Sequence, residues 1–324
     1  MSRVVLRCLA LLAALLVLPA QAVTYTFNTS GNPAVSGTPS ICSGNWNRTG
    51  GSTFTCDGDL STASGDVLTV SSATTITVNA RRITLTGTTV GATDRAINLR
   101  ATSNPITATN STVIGTLTAT SGSISLTGGS VSGLVLSNCC AITTNGTNLL
   151  GGANSDRDRL SITGGTLQGD FYAGNNPATF AGVNMLSGTV SGASTVTFND
   201  STLGSPTSYV DVTSANGPVN LNNTNAYGNF NAPGYSTIFV NSPSTVTGTC
   251  SPGSTPANAC RPAPILNWAL DESQWTGAAG EVLDGTPNGL SGAAVGGATT
   301  ARTSPALPQV NAQGTCGYGV FNAA

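Results

Sequence analysis

One period constrains this chain more than any other feature. The phrases STVIG, GSVSG, TNLLG and GTLQG begin at Ser111, Gly129, Thr147 and Gly165, and looser echoes, VNMLS and DSTLG, begin at Val183 and Asp200. The apolar residue near the centre of each is an anchor: Val113, Val131, Leu149, Leu167, Met185 and Leu203, each 18 residues after the one before. A fixed period of this length marks a stacked repeat, because a single unit of that size cannot bury its own apolar face.

Two further columns accompany the anchors. Seven residues before each stand Ile106, Ile124, Ile142, Leu160, Ala178 and Val196. Five residues before stand Ala108, Leu126, Ile162, Phe180 and Phe198, with Thr144 as the one polar exception. Positions two apart on a strand point to the same face, so these two columns face inward together. A Gly or Asn then separates them from the anchor and marks a corner. Val90 with Ile83 and Leu85, and Ala226 with Val219 and Leu221, extend the columns at a spacing of 23 residues. The expectation is an all-β chain: a parallel β-solenoid of two or three short strands per 18-residue rung, over residues 59–249. A β-sandwich with accidental spacing is the rival, and six anchors in strict register argue against it.

Composition narrows the function. Gly, Ser, Thr and Asn abound, only 7% of residues are charged, and the formal net charge is −2. All basic residues are Arg, too few for the basic stripe that a nucleic-acid binder needs. There is no His, which excludes Ser-His-Asp and Cys-His catalysis, and no Lys, which excludes Schiff-base chemistry. Paired carboxylates remain, and Asp156 and Asp158 in the stretch NSDRDR are the candidates for them. A solvated loop of alternating charge is the plainer reading, because glycosidase chemistry needs two carboxylates at a set separation across a sugar. Asp57 and Asp59 are a weaker candidate for a cation.

Residues 1–22 read as a secretory signal peptide: Arg3 and Arg7, an apolar run from Leu9 to Leu18, and a small-x-small site at Ala20–Ala22. No later stretch is apolar enough for a transmembrane helix. Export favours disulfides, and Cys42–Cys56 and Cys250–Cys260 are the expected pairs. Cys139 and Cys140 would form a vicinal bridge or stay buried and reduced. Residues 23–58 are expected to form a disulfide-containing cap. The Pro, Ser and Ala of residues 250–264 read as a linker. Strand and turn signals follow in residues 265–324, too few to close a sandwich. An incomplete domain of this kind would leave Trp268, Trp275 and Phe321 partly exposed and Cys316 unpaired.

Those last residues also carry a resemblance. WALDESQWTGAAGEVLDGTPNGLSGAAVGGA followed by CGYGVFN resembles the opening of a laminin-G-like, concanavalin-A-type jelly roll. Together with GSISLTGGSVSGLVLSNCCAITTNGTNLLGG and STPANAC, it is similar to the MshQ-like family, biogenesis proteins of mannose-sensitive haemagglutinin (MSHA) type IV pili in Gram-negative bacteria. The resemblance implies a non-catalytic role in pilus biogenesis or adhesion. It implies pilus or envelope proteins, and surface glycans, as partners, and a location in the periplasm, at the outer membrane or on the cell surface. It implies no cofactor, although a complete lectin-like domain would offer Ca²⁺ oxygen ligands, with Asp271, Glu272 and Asp284 as placeholders. The alternatives are a carbohydrate-active β-helix enzyme, such as a polysaccharide lyase or glycosidase, and a stand-alone glycan-binding surface protein.

Overall fold

The computed structural model describes residues 21–235, 237–261, 275–283, 290–295, 298–301 and 318–320. These fall into two compact units, one of residues 1–204 and 209–260, the other of residues 205–208 and 261–324. The first is a parallel β-solenoid of about ten turns, and no helix occurs among the described residues.

Each regular rung has three faces. In one rung these are the strands Leu117–Ala119, Ile124–Thr127 and Ser130–Val131; in the next, Val135–Ser137, Ile142–Asn145 and Asn148–Leu149. Every strand pairs in parallel with its equivalent one rung away. Leu117 lies beside Val135, Ile124 beside Ile142, and Val131 beside Leu149. The second faces stack into one continuous 11-stranded sheet running from Leu60–Ser61 to Ser254–Thr255. The 23-residue intervals at both ends of the regular stretch hold the same register, with Val90 beside Val113 and Leu203 beside Ala226.

The core is a set of ladders. All six anchors are buried, as are both companion columns. A further inward column lies on the first face, through Leu117, Val135, Ala153 and Phe171. Stacking like on like brings Phe180 and Phe198 into parallel contact, with ring centroids 4.7 Å apart. Thr144 stands in this core between Leu126 and Ile162, 1% exposed, and its hydroxyl has no hydrogen-bond partner.

Two corner columns explain the glycines and the final letter of the repeated phrase. Between the second and third faces most rungs place a residue at positive φ, among them Gly87, Asn110, Gly128, Gly146, Asp200 and Asn223. The residues at positive φ there are all Gly, Asn or Asp, the residues that tolerate the left-handed region. Before the first face, Gly115, Gly133, Gly151 and Gly169 stack directly. A Cβ on Gly133 would lie 2.6 Å from the Gly115 carbonyl oxygen, and one on Gly151 2.5 Å from the Gly133 carbonyl carbon, so successive backbones leave no room for a side chain.

The ends depart from the sequence expectation in instructive ways. Parallel pairing already begins inside the stretch assigned to the cap, where Thr24–Phe27 pair with Val67–Val70 and Thr53–Thr55 with Thr77–Asn79. Trp46–Thr49 folds back antiparallel on Thr53–Cys56, and Phe27 stands edge-on to both Trp46 and Phe54. At the other end residues 250–261 are no linker. Ser254–Thr255 pair with Ile238 and Phe239, because the ladder hydrogen bonds are backbone groups that a Ser-rich composition does not remove. Beyond that, Val282 bridges Gly292, and Thr299–Ala301 pair antiparallel with Tyr318–Val320. Trp275 is 6% exposed, against the expectation of partial exposure, as its large apolar ring favours. Trp268, Cys316, Phe321, Asp271, Glu272 and Asp284 lie outside the described residues.

The Thr144 hydroxyl gives a direct test of the core. Replacing a buried, unpartnered hydroxyl by a methyl of the same shape removes a desolvation penalty of about 1 kcal/mol. Thr144→Val is expected to raise the melting temperature of the solenoid by about 2–4 °C in a thermal scan. A lower melting temperature would contradict the apolar setting of this position.

Candidate functional site

The turns joining the first to the second face also stack in register, and they bring the charged stretch and the vicinal cysteines together. The turn holding Cys139 and Cys140 follows Val135–Ser137. Asp156, Arg157, Asp158 and Arg159 occupy the equivalent turn after Ala153–Ser155, and Asn175, Asn176 and Pro177 the next, after Phe171–Ala173. Successive backbones are stapled at the turn entrance, where Asp156 N donates to Ser137 O at 2.9 Å and Gly174 N to Ser155 O at 2.9 Å. Buried serines hold the turns from within. Ser137 Oγ donates to Gly122 O at 3.1 Å and accepts from Cys140 N at 3.1 Å. Ser155 Oγ lies 3.1 Å from Cys140 O and 2.9 Å from Asp158 O, so one hydroxyl serves two rungs.

Cys139 and Cys140 are joined in a vicinal disulfide, which resolves the alternative left open by the sequence. Cys42–Cys56 and Cys250–Cys260 are bonded as expected. Each closes a short loop near one end of the solenoid, worth about 3 kcal/mol in the chain-entropy account. Disulfide bonding is the chemistry of an oxidising compartment outside the cytoplasm. Among the described residues no helix is long and apolar enough to cross a membrane.

Beside the charged turn runs a groove of about 430 Å³, lined chiefly by Thr143, Asp158, Arg159, Ser161, Asn176 and Thr179. Its floor is the outward side of the second face and its rim is the stacked turns. The structure separates the two candidate carboxylates: Asp158 lines the groove, whereas Asp156 is exposed outside it. Asp158 Oδ1 accepts from Arg159 N at 2.7 Å, capping its own turn, and Asn176 Nδ2 donates to Arg157 O at 3.3 Å. The groove therefore offers one carboxylate, one guanidinium and several hydroxyl and amide groups. That set hydrogen-bonds a polar solute; it does not put Asp156 and Asp158 on opposite sides of one bond. Thr143, Ser161, Asn176 and Thr179 are not among the candidates that the sequence offers. The first, second and fourth sit between the two inward columns, and that outward position is the signal that locates them.

The other acidic candidates are occupied elsewhere. Asn47 Nδ2 donates to Asp57 Oδ2 at 3.0 Å, and Asp59 faces Arg82 at 3.8 Å, so the two carboxylates turn to different partners. Among the described residues no group of three His, Cys, Asp or Glu is placed to hold a metal ion. In the second unit Glu281 is a carboxylate built into backbone. It accepts from the Gly277 amide at 2.7 Å, the Ala294 amide at 3.0 Å, the Thr276 hydroxyl at 3.1 Å and the Thr276 amide. Desolvation would raise its pKa, but the hydrogen bonds donated by Thr276, Ala294 and Gly277 outweigh it and hold the carboxyl down at about 2.

No family model matches this chain, and no match is found among curated proteins or among solved structures. Fold and site define a class, a disulfide-bonded parallel β-solenoid with a hydroxyl-rich outer surface.

The Glu281 contacts carry a pH dependence with a definite sign. Because the folded pKa is depressed, the stabilisation is complete above the ordinary glutamate value of about 4.3. It is lost as pH falls through about 2. Hydrogen-exchange protection at Thr276, Gly277 and Ala294, corrected for intrinsic rates, is expected to fall across that window. In Glu281→Gln the fall should be absent.

Proposed function

We propose that this chain is a non-catalytic, exported scaffold of a Gram-negative envelope or surface, acting in MSHA-type pilus biogenesis or adhesion like members of the MshQ-like family. The observation that carries the scaffold reading is the filled interior. The inward ladders occupy the inside of every rung, so binding falls to the outer faces and the turns. Three disulfides suit a protein working in the periplasm, at the outer membrane or outside the cell. The resemblance of the segment from Trp268 to Phe321 to a lectin-like opening supports adhesion, with pilus or envelope proteins and surface glycans as partners. The separation of Asp156 from the groove supports a non-catalytic role.

The groove beside Asp158 favours, as a second reading, a carbohydrate-active enzyme of the β-helix kind, and one genetic experiment separates the two. Deleting the gene is expected to reduce piliation or surface attachment several-fold. Complementation with the doubly substituted chain, Asp156→Asn with Asp158→Asn, is expected to restore both to the wild-type level. Unchanged piliation and attachment after deletion would overturn the pilus reading. Failure of a folded double variant to complement would favour the enzyme.

A further inference from the structure

The second face of the solenoid carries two parallel ranks of outward side chains, ten of the twelve bearing a hydroxyl, and their arrangement is more regular than solubility requires. The first rank lies between the two inward columns: Thr84, Thr107, Ser125, Thr143, Ser161 and Thr179. The second lies two residues further along each strand: Thr86, Thr109, Thr127, Asn145, Thr163 and Ala181. Most rungs thus present a Thr-x-Thr or Ser-x-Thr pair pointing outward, the exceptions being Thr143 with Asn145 and Thr179 with Ala181, while Leu, Ile, Ala, Phe or, once, Thr144 points inward between them. All twelve positions are half-buried or exposed, and none is charged.

Register keeps the ranks straight. These strands pair one to one with no slip, whereas the single shift in the regular repeats, at Leu167 and Gln168, lies on the third face. Neighbouring rungs stand about 4.8 Å apart, and outward residues two apart on a strand about 6.6 Å apart. The array is therefore a rectangular net with these two repeats. The rung repeat lies close to one oxygen repeat of a prism face of hexagonal ice, and the in-strand repeat is somewhat shorter than the other.

The hydroxyls are also available. None of those in the two ranks makes a hydrogen bond within the protein among the described residues. The contrast comes at the next rungs. Asn220 Nδ2 donates to Thr197 Oγ1 at 3.3 Å, Asn222 Nδ2 to Asn199 Oδ1 at 2.7 Å, and Asn241 Nδ2 to Asn222 Oδ1 at 2.6 Å. There the outward groups satisfy one another, and the open array ends.

We propose that this Thr/Ser face binds ice, holding a layer of water whose oxygens match the crystal. The hydroxyls would hydrogen-bond that layer, and the threonine methyls between them would order the water that cannot bond to the protein. A flat polysaccharide is the rival occupant, and the residues disfavour it. No aromatic side chain stands on either rank between Thr84 and Ala181 to stack on a sugar ring. The proposal rests on this face alone and is independent of any role in pilus assembly.

The test uses the purified full chain with its disulfides intact. Thermal hysteresis, inhibition of ice recrystallisation and uptake into slowly grown ice are measured for the wild type, Thr127→Tyr and Ser161→Tyr. Thr118→Tyr, on the outward side of the first face, is the control. Circular dichroism and melting temperature establish that each variant is folded. The wild type and the control are expected to be active, and each array variant to lose most of the hysteresis and ice uptake. A wild type inactive towards ice overturns the proposal, as does equal activity in folded array variants, or equal loss in the control. Binding to insoluble cellulose or chitin without activity towards ice would assign the face to a polysaccharide and overturn it too.

Discussion

The rest of the structure depends on one constraint: each rung's backbone hydrogen-bonds the next in register. Once strands stack in parallel about 4.8 Å apart, every position in the unit lies directly over its equivalent, and the equivalents must be compatible with one another. The inward columns must be uncharged on every rung, since a charged member would sit against apolar neighbours above and below, and Thr144 is the one polar residue in the two columns of the second face. The column at positive φ admits only Gly, Asn and Asp. The corner before the first face admits glycine in four consecutive rungs, because the carbonyl of one rung touches the Cα of the next. The repeated phrase is the linear trace of these columns, and its closing glycine is that last corner.

Such stacking leaves two problems, the open ends and the polar backbone of the corners. At the start, Phe27, Trp46 and Phe54 close over the first rung, and an antiparallel hairpin blunts what would be an exposed edge. Near both ends a disulfide ties the chain. The corners are satisfied by small hydroxyl residues bonded across rungs. Ser111 Oγ accepts from Thr88 N at 3.1 Å, Ser201 Oγ from Val183 N at 3.3 Å and Ser244 Oγ from Thr224 N at 3.0 Å. The abundance of Ser, Thr, Gly and Asn, which in another chain would suggest disorder, here reflects the number of corners.

Much of this was legible in the sequence because apolar residues contrast sharply with polar ones at a fixed interval. The anchors and the two columns before them were readable, and with them the fold. The inward column of the first face was not. Its residues, Leu117, Val135, Ala153 and Phe171, vary widely in size, and the slip at Leu167 and Gln168 moves its next member, Val190, out of the 18-residue register. The last rung was hidden by composition, since Ser254 and Thr255 pair through backbone groups whatever their side chains. The disulfide pairs near the two ends were readable from proximity, whereas the state of Cys139 and Cys140 depended on the geometry of a turn. Of the candidate site, Asp158 was recognised and its groove was not. Thr143, Ser161 and Thr179 are ordinary outward strand residues until the stack aligns them, and only three dimensions separate Asp156 from Asp158.

The central claim, one repeat to one rung in continuous register, is open to a direct ruler measurement. Spin labels on the outward positions 84 and 143, 84 and 161, 84 and 179, and 84 and 197 report separations along the second face. The stack predicts distances that rise linearly by about 4.8 Å per repeat, reaching about 29 Å for the last pair. Distances that scatter, or that fail to lengthen from one repeat to the next, would contradict the solenoid and favour a fold in which the period has no spatial counterpart.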